Sequence, residues 1–242
     1  MYDGQMTFVE HLTELRKRLI IVSLSVLAGG SACFVFVESI VTHLLALAPA
    51  ADMVYLAPPE LFLAYLRISL ILGIVITAPI TLSQIWYFVR PALTRREKVT
   101  VAAILLGGSF FFAAGAIFAF HVILPLTMRF FLQYATPSIQ PVFSFGGYVG
   151  FVISILVAFG IAFELPIVVT ILARVQLVTP PMLRAARKYV LVALVILSAV
   201  LTPPDVVSQL LLAGPMVALY ELSILFARIV SPRSQPSRWS EE

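Results

Sequence analysis

His11-Leu12-Thr13-Glu14-Leu15-Arg16-Lys17-Arg18-Leu19 runs without interruption into the apolar stretch Leu19–Val37. A helix needs about 20 predominantly apolar residues to cross the hydrocarbon of a bilayer. Leu19–Val37 meets that length and exceeds the apolar region of a typical cleavable signal. Ala46-Leu47-Ala48 has the small-x-small form of a cleavage site, but it lies beyond Glu38 and His43 and is followed by Pro49. The stretch therefore reads as a first membrane span preceded by a charged helix. Three consecutive basic residues mark the side on which that helix lies. Glu14, the carboxylate among them, is not explained by topology.

Composition agrees. The 242 residues are 61% hydrophobic and 12% charged, with a mean hydropathy of +1.04, whereas soluble domains carry about 25% charged residues. The single cysteine, Cys33, excludes an intrachain disulfide, and His11, His43 and His121 are too scattered in sequence to suggest a metal site. There is no phosphate-binding glycine loop, no HExxH and no GxSxG, so ATP hydrolysis or another enzymatic activity is not expected. No cofactor is expected either.

Six spans are expected, at about 19–37, 61–89, 99–124, 149–173, 189–201 and 210–226. They form an all-α integral membrane protein with one membrane domain, 1–228, and a polar tail, 229–242. The second span begins after Pro58-Pro59, the third is expected to stop at Pro125, and the fourth contains Glu164 and Pro166. The last two are short: thirteen residues reach only some 20 Å against a core of about 30 Å. Flanking turns, a thinned bilayer or a re-entrant hairpin would each accommodate them. Of the 16 Lys and Arg residues, 14 fall on one side of this arrangement, Arg67 and Arg129 being the others. Both termini are thus expected in the cytoplasm. The two long outer connections, Thr42–Glu60 and Pro125–Gly147, keep apolar and aromatic residues and read as structured.

Candidate sites are polar groups that topology does not require. Thr7-Phe8-Val9-Glu10 has the spacing of a helix capping box, starting a helix with the apolar stripe Phe8, Leu12, Leu15 and Leu19. Glu14 lies off that stripe; an i,i+4 ion pair with Arg18 is its local explanation. Glu97 stands among Arg95, Arg96 and Lys98, where Thr94-Arg95-Arg96-Glu97 is a second capping box. Two carboxylates on one face would bind a pair of guanidinium groups through charge-assisted, bidentate hydrogen bonds. Glu164 lies deep in the fourth span, where a carboxylate is protonated, paired or turned toward water. Glu221, in the sixth span, is expected to snorkel or to pair with Arg228. In Thr202-Pro203-Pro204-Asp205 the acid suits a helix start, and Gln209 follows one turn later.

Several of these segments, in order, resemble the TatC family, the multispanning receptor subunit of the twin-arginine protein translocase. They are His11–Leu19, Trp86-Tyr87-Phe88-Val89-Arg90-Pro91-Ala92-Leu93, Arg96-Glu97, Phe159-Gly160-Ile161-Ala162-Phe163-Glu164-Leu165-Pro166 and Leu201–Gln209. The resemblance implies a cytoplasmic face that reads the paired arginines of a signal peptide, with Glu14 and Glu97 as the binding carboxylates and Leu12, Arg16 and Phe88 beside them. It implies that Pro49 is structural in the first outer loop and that Glu164 is the buried acid of a concave face. Asp205 and Gln209 fall near contacts with single-span Tat subunits of the TatA/TatB type. The implied partners are twin-arginine signal peptides of folded precursors, those subunits, membrane lipid and further copies in a multimer, with no nucleic acid. The implied process is proton-motive-force-driven export across a bacterial or archaeal-type cytoplasmic membrane. A proton-coupled small-solute transporter centred on Glu164 is the competing reading.

Overall fold

Helical structure extends well beyond the apolar runs that announce it. The computed structural model describes residues 8–46, 52–90, 95–136, 141–174, 176–201 and 206–230. Its elements are α1 (Phe8–Val35), α2 (Val37–Leu45), β1 (Asp52–Val54), α3 (Glu60–Val89), α4 (Arg95–Phe118), a π-helical turn (Ala119–Ile123), α5 (Leu124–Leu132), β2 (Val142–Ser144), α6 (Phe145–Arg174), α7 (Pro180–Leu201) and α8 (Val206–Val230). Five stretches are long and apolar enough to cross a membrane: Val9–Val35, Glu60–Phe88, Ile104–Leu132, Phe145–Arg174 and Gln209–Ile229. α7 is not among them, because Arg184, Arg187 and Lys188 occupy its first half.

Two expected boundaries are corrected. Pro125 does not stop the third span. The Leu124 N–H reaches back to the Ala119 carbonyl, and this wider turn sets the register in which Pro125, lacking an N–H, enters near the start of α5. The helical path therefore continues to Leu132. The last two helices are not short: α7 has 22 residues and α8 has 25, because polar turns extend the apolar segments. At about 1.5 Å per residue, α7 is roughly 33 Å long.

α1 and α3 pack antiparallel and form the most extensive helix pair among the described residues. Their backbones meet at glycines: a Cβ built on Gly73 would lie 2.7 Å from the Gly30 Cα, and one on Gly29 would lie 2.7 Å from the Thr77 Cγ2. Without a water-driven hydrophobic force inside lipid, such small-residue contacts supply the dispersion that holds spans together. α4 and α6 also pack antiparallel, with Gly115 against the Phe159 carbonyl and the Phe163 side chain, and Gly160 against the Phe112 ring. α6 is the centre of the bundle; Val149, Val152, Ile155 and Phe159 are fully buried there, and it touches α3, α4, α7 and α8. At one end of the bundle α6 and α8 meet through Val169, Ala173 and Ala227. That end carries the basic residues.

The opposite end is covered by the described parts of the long connections, residues 42–46, 52–60, 125–136 and 141–147, which are structured as the sequence suggests. Val37, Val41 and Leu44 form the buried face of α2, and the Tyr148 hydroxyl donates to the Leu44 carbonyl at 2.6 Å. β1 and β2 form a two-stranded parallel ladder, Asp52 opposite Val142 and Val54 opposite Ser144, a small exception to an otherwise helical chain. Glu60, at the first turn of α3, ties the connections together. One carboxylate oxygen accepts from the Gly146 N–H at 2.8 Å and the Ser144 hydroxyl. The other accepts from the N–H groups of Leu56 at 2.6 Å and Ala57 at 3.3 Å. One side chain thus fixes the entry to α3 against the entry to α6.

Two outcomes follow. Gly73→Leu is expected to lower the melting temperature in detergent by about 5–10 °C, whereas Gly150→Ala, which has open space around it, is expected to be neutral or slightly stabilising. Glu60→Ala is expected to open the capped end to limited proteolysis between residues 46 and 60 while leaving helical circular dichroism unchanged.

Candidate functional site

At the basic end of the bundle the start of α1 packs against the end of α3, and α4 begins a few residues further along the chain. α1 is continuous from the charged segment into the span, because residues 8–35 contain no proline and no strong helix stop. The expected apolar stripe is present but uncovered by the chain: Leu12, Leu15 and Leu19 are all exposed. The capping residues Thr7 and Thr94 lie outside the described residues, as do the side chains of Phe8 and Glu97; the Glu97 backbone lies in the first turn of α4.

Glu14 forms the expected i,i+4 pair: the Arg18 Nε donates to the Glu14 Oε1 at 2.8 Å, and Nη2 contacts the same oxygen. The surroundings differ from a solvated surface pair. Both side chains are only about a quarter exposed (23% for Arg18, 24% for Glu14). The Arg18 Nη1 donates to the Gln84 Oε1 of α3 at 2.9 Å, and the guanidinium lies 5.2 Å from the centre of the Tyr87 ring. One turn further out, the His11 ring stacks on Phe88 with centroids 4.3 Å apart and planes inclined by 22°. Glu14 therefore sits at a joint between α1 and α3 rather than facing freely outward. Arg16 is exposed beside it. The aromatic run Trp86-Tyr87-Phe88 reads from sequence as an interface anchor, and two of its rings serve this joint. Gln84 and Tyr87 were not legible as site residues, since a lone amide and a tyrosine at a span end are ordinary. Their signal is cross-helix register, which needs the α1–α3 contact.

Glu164 lies on α6 facing α4. A Cβ built on Gly108 would stand 3.1 Å from the Glu164 Oε2, so the absence of a side chain at Gly108 makes room for the carboxylate. Pro166, two residues toward the basic end, remains inside the helix, and the Thr170 hydroxyl donates to its carbonyl at 2.5 Å.

α7 and α8 form an antiparallel pair joined by polar contacts. Gln209 Nε2 donates to the Val195 carbonyl at 3.0 Å, so its amide nitrogen is already engaged within the chain. Glu221, half exposed, pairs with Arg187 of α7 at 2.6 Å rather than with Arg228, one of its two expected outcomes. The antiparallel register sets Arg187 opposite Glu221, whereas Arg228 is two turns away along the same helix. Asp205 and Pro49 lie outside the described residues.

These features define a multipass helical membrane protein in which Glu14, Arg18, Gln84 and Tyr87 cluster at the basic end. The model of the family described as Sec-independent protein translocase protein (TatC) matches residues 10–215. A Carboxydothermus hydrogenoformans protein of that name is 39% identical over 236 residues, covering 96% of this chain and 97% of the relative. An Aquifex aeolicus protein of that name is 36% identical over 236 residues, covering 95% and 98%. The fold is similar to a crystal structure of the twin-arginine translocase receptor TatC, with a TM-score of 0.76 and 37% identity over 91% of this chain and 99% of that one. The chain belongs to the TatC family of Sec-independent protein translocase proteins, whose function is transport rather than catalysis.

For the α7–α8 pair, Gln209→Leu is expected to cost about 1 kcal/mol, because a part-buried carbonyl loses a donor. Glu221→Gln is expected to cost less than about 0.5 kcal/mol, since both members of its pair are 46% exposed. Thermal melts of the two variants in one detergent provide the comparison.

Proposed function

We propose that this chain is the core receptor of a twin-arginine translocase, binding the signal peptides of folded precursors at its basic, cytoplasmic face. Glu14 and Glu97 accept the guanidinium groups, with Leu12, Arg16 and Phe88 forming the surrounding surface. The observation that carries the reading is Glu14 itself, a carboxylate held partly buried at the α1–α3 joint within a segment of three basic residues. The nearby cations oppose generic positive ligands and favour one that forms specific forked hydrogen bonds.

In this reading all six long helices, α1, α3, the path from α4 through α5, α6, α7 and α8, cross the membrane. The length of α7 supports that count. Both termini face the cytoplasm, the side enriched in Lys and Arg. Residues 1–228 form the membrane domain and 229–242 a cytoplasmic tail. Asp205 and Gln209 contribute to contact with single-span Tat subunits, Pro49 shapes the first outer loop, and Glu164 lines the concave face. Transport of the folded cargo draws on the proton motive force, about 2.3 kcal/mol per charge per 100 mV. The membrane is the cytoplasmic membrane of a bacterial or archaeal-type cell, and several copies assemble in the translocase. A small-solute transporter centred on Glu164 gains no support from the relatives, which are translocase proteins.

Glutamine at the third position of a capping box preserves helix initiation. Glu97→Gln is therefore expected to leave folding near normal and to weaken binding of a twin-arginine peptide by about tenfold. Titration of a labelled peptide into purified protein checks this; equal affinity for the variant and the parent chain would remove the ionic role of Glu97.

A further inference from the structure

The contacts around Arg18 describe a site for a guanidinium group. The Glu14 carboxylate supplies the charge-assisted acceptor at 2.8 Å, the Gln84 carboxamide oxygen accepts at 2.9 Å from a second edge, and the Tyr87 ring lies under the planar group at 5.2 Å. The Gln84 amide is itself oriented, its Nε2 donating to the Ser83 hydroxyl at 3.2 Å, which leaves the oxygen turned toward Arg18. An i,i+4 pair on a helix surface needs neither the amide nor the ring. A planar, forked donor meets the carboxylate and the amide from separate edges while stacking on the ring, whereas a compact ammonium has no such fork.

We propose that Glu14, Gln84 and Tyr87 form an arginine-selective cradle, filled at rest by Arg18, and that one arginine of an incoming signal peptide enters it by displacing Arg18. The proposal rests on the reading of Glu14 as a signal-peptide ligand and adds Gln84 and Tyr87 to the site. The resident side chain offers the same chemistry as the ligand, so it lowers the apparent affinity by the fraction of time it occupies the cradle. Discrimination against lysine comes from the amide and the ring. Arg18, once displaced, stays on the exposed basic face of α1, so no charge is left buried.

The test is peptide titration against the full-length protein in detergent or nanodiscs, using a twin-arginine signal peptide and its twin-lysine counterpart. Arg18→Gln is expected to tighten binding of the twin-arginine peptide about three- to tenfold. Lys17→Gln removes the same charge without emptying the cradle and is expected to change affinity less than about twofold. In the Arg18→Gln background, Gln84→Leu and Tyr87→Leu are each expected to weaken the twin-arginine peptide and leave the twin-lysine peptide unchanged, narrowing the ratio between them. Equal tightening by Lys17→Gln, weakened binding in a folded Arg18→Gln variant, or an unchanged ratio in the cradle variants would overturn the proposal. Glu14→Gln in the parent chain separates the two levels: undiminished binding there overturns the role of Glu14 itself. Lost binding there, with no gain in Arg18→Gln, overturns only the exchange.

Discussion

The contact between Gly30 of α1 and Gly73 of α3 governs the geometry of the functional end. Any side chain at Gly73 would run into the facing backbone of Gly29 and Gly30, whereas a Cβ at Gly30 would meet nothing closer than 3.6 Å, so the close approach of the two helices rests on glycine at position 73. That approach fixes the antiparallel register over the full length of the pair. Toward one end it sets Phe34 against Phe62, 6.3 Å between ring centres. Toward the other it sets Arg18 against Gln84 and His11 against Phe88. A one-residue slip along α3 would rotate Gln84 by about 100° and carry it away from Arg18. The polar joint around Glu14 thus depends on an apolar contact about 24 Å away along α1.

The other end relies on a different device. Glu60 gathers backbone and hydroxyl donors from two connections, and the β1–β2 ladder joins those connections a few residues on. Between the ends, α6 supplies a large share of the buried core, including Val149, Val152, Ile155 and Phe159. Its glycine contacts with α4 leave space at Gly108 for the Glu164 carboxylate.

Much of this was legible in the sequence. Apolar runs located the core of each long helix, Lys and Arg separated the two ends, and family segments pointed to Glu14, Glu164 and Gln209, which the structure places at contacts between helices. Helix ends were less legible, because hydropathy reports the lipid-facing part of a helix and not its hydrogen bonding. α7 accordingly begins nine residues before its apolar run at Tyr189, and α4 leads through a π turn past Pro125. Cross-helix partners were the least legible. Glu60 looked like the boundary of a loop, and Arg187 was not paired with Glu221, because neither relation leaves a mark in local spacing. Gly29, Gly30 and Gly73 carried the needed signal, but glycine in a span also occurs without a packing role.

The claim that most needs a direct measurement is that Glu14 and Glu97 belong to one recognition surface for paired arginines. A photo-crosslinking residue placed at position 14 or at position 97, in the assembled membrane protein, reads this without relying on affinity alone. The account predicts that both positions capture a twin-arginine signal peptide and that capture falls sharply at both when the two arginines become lysines. Capture that ignores the arginines, or that occurs at only one of the two positions, would contradict it.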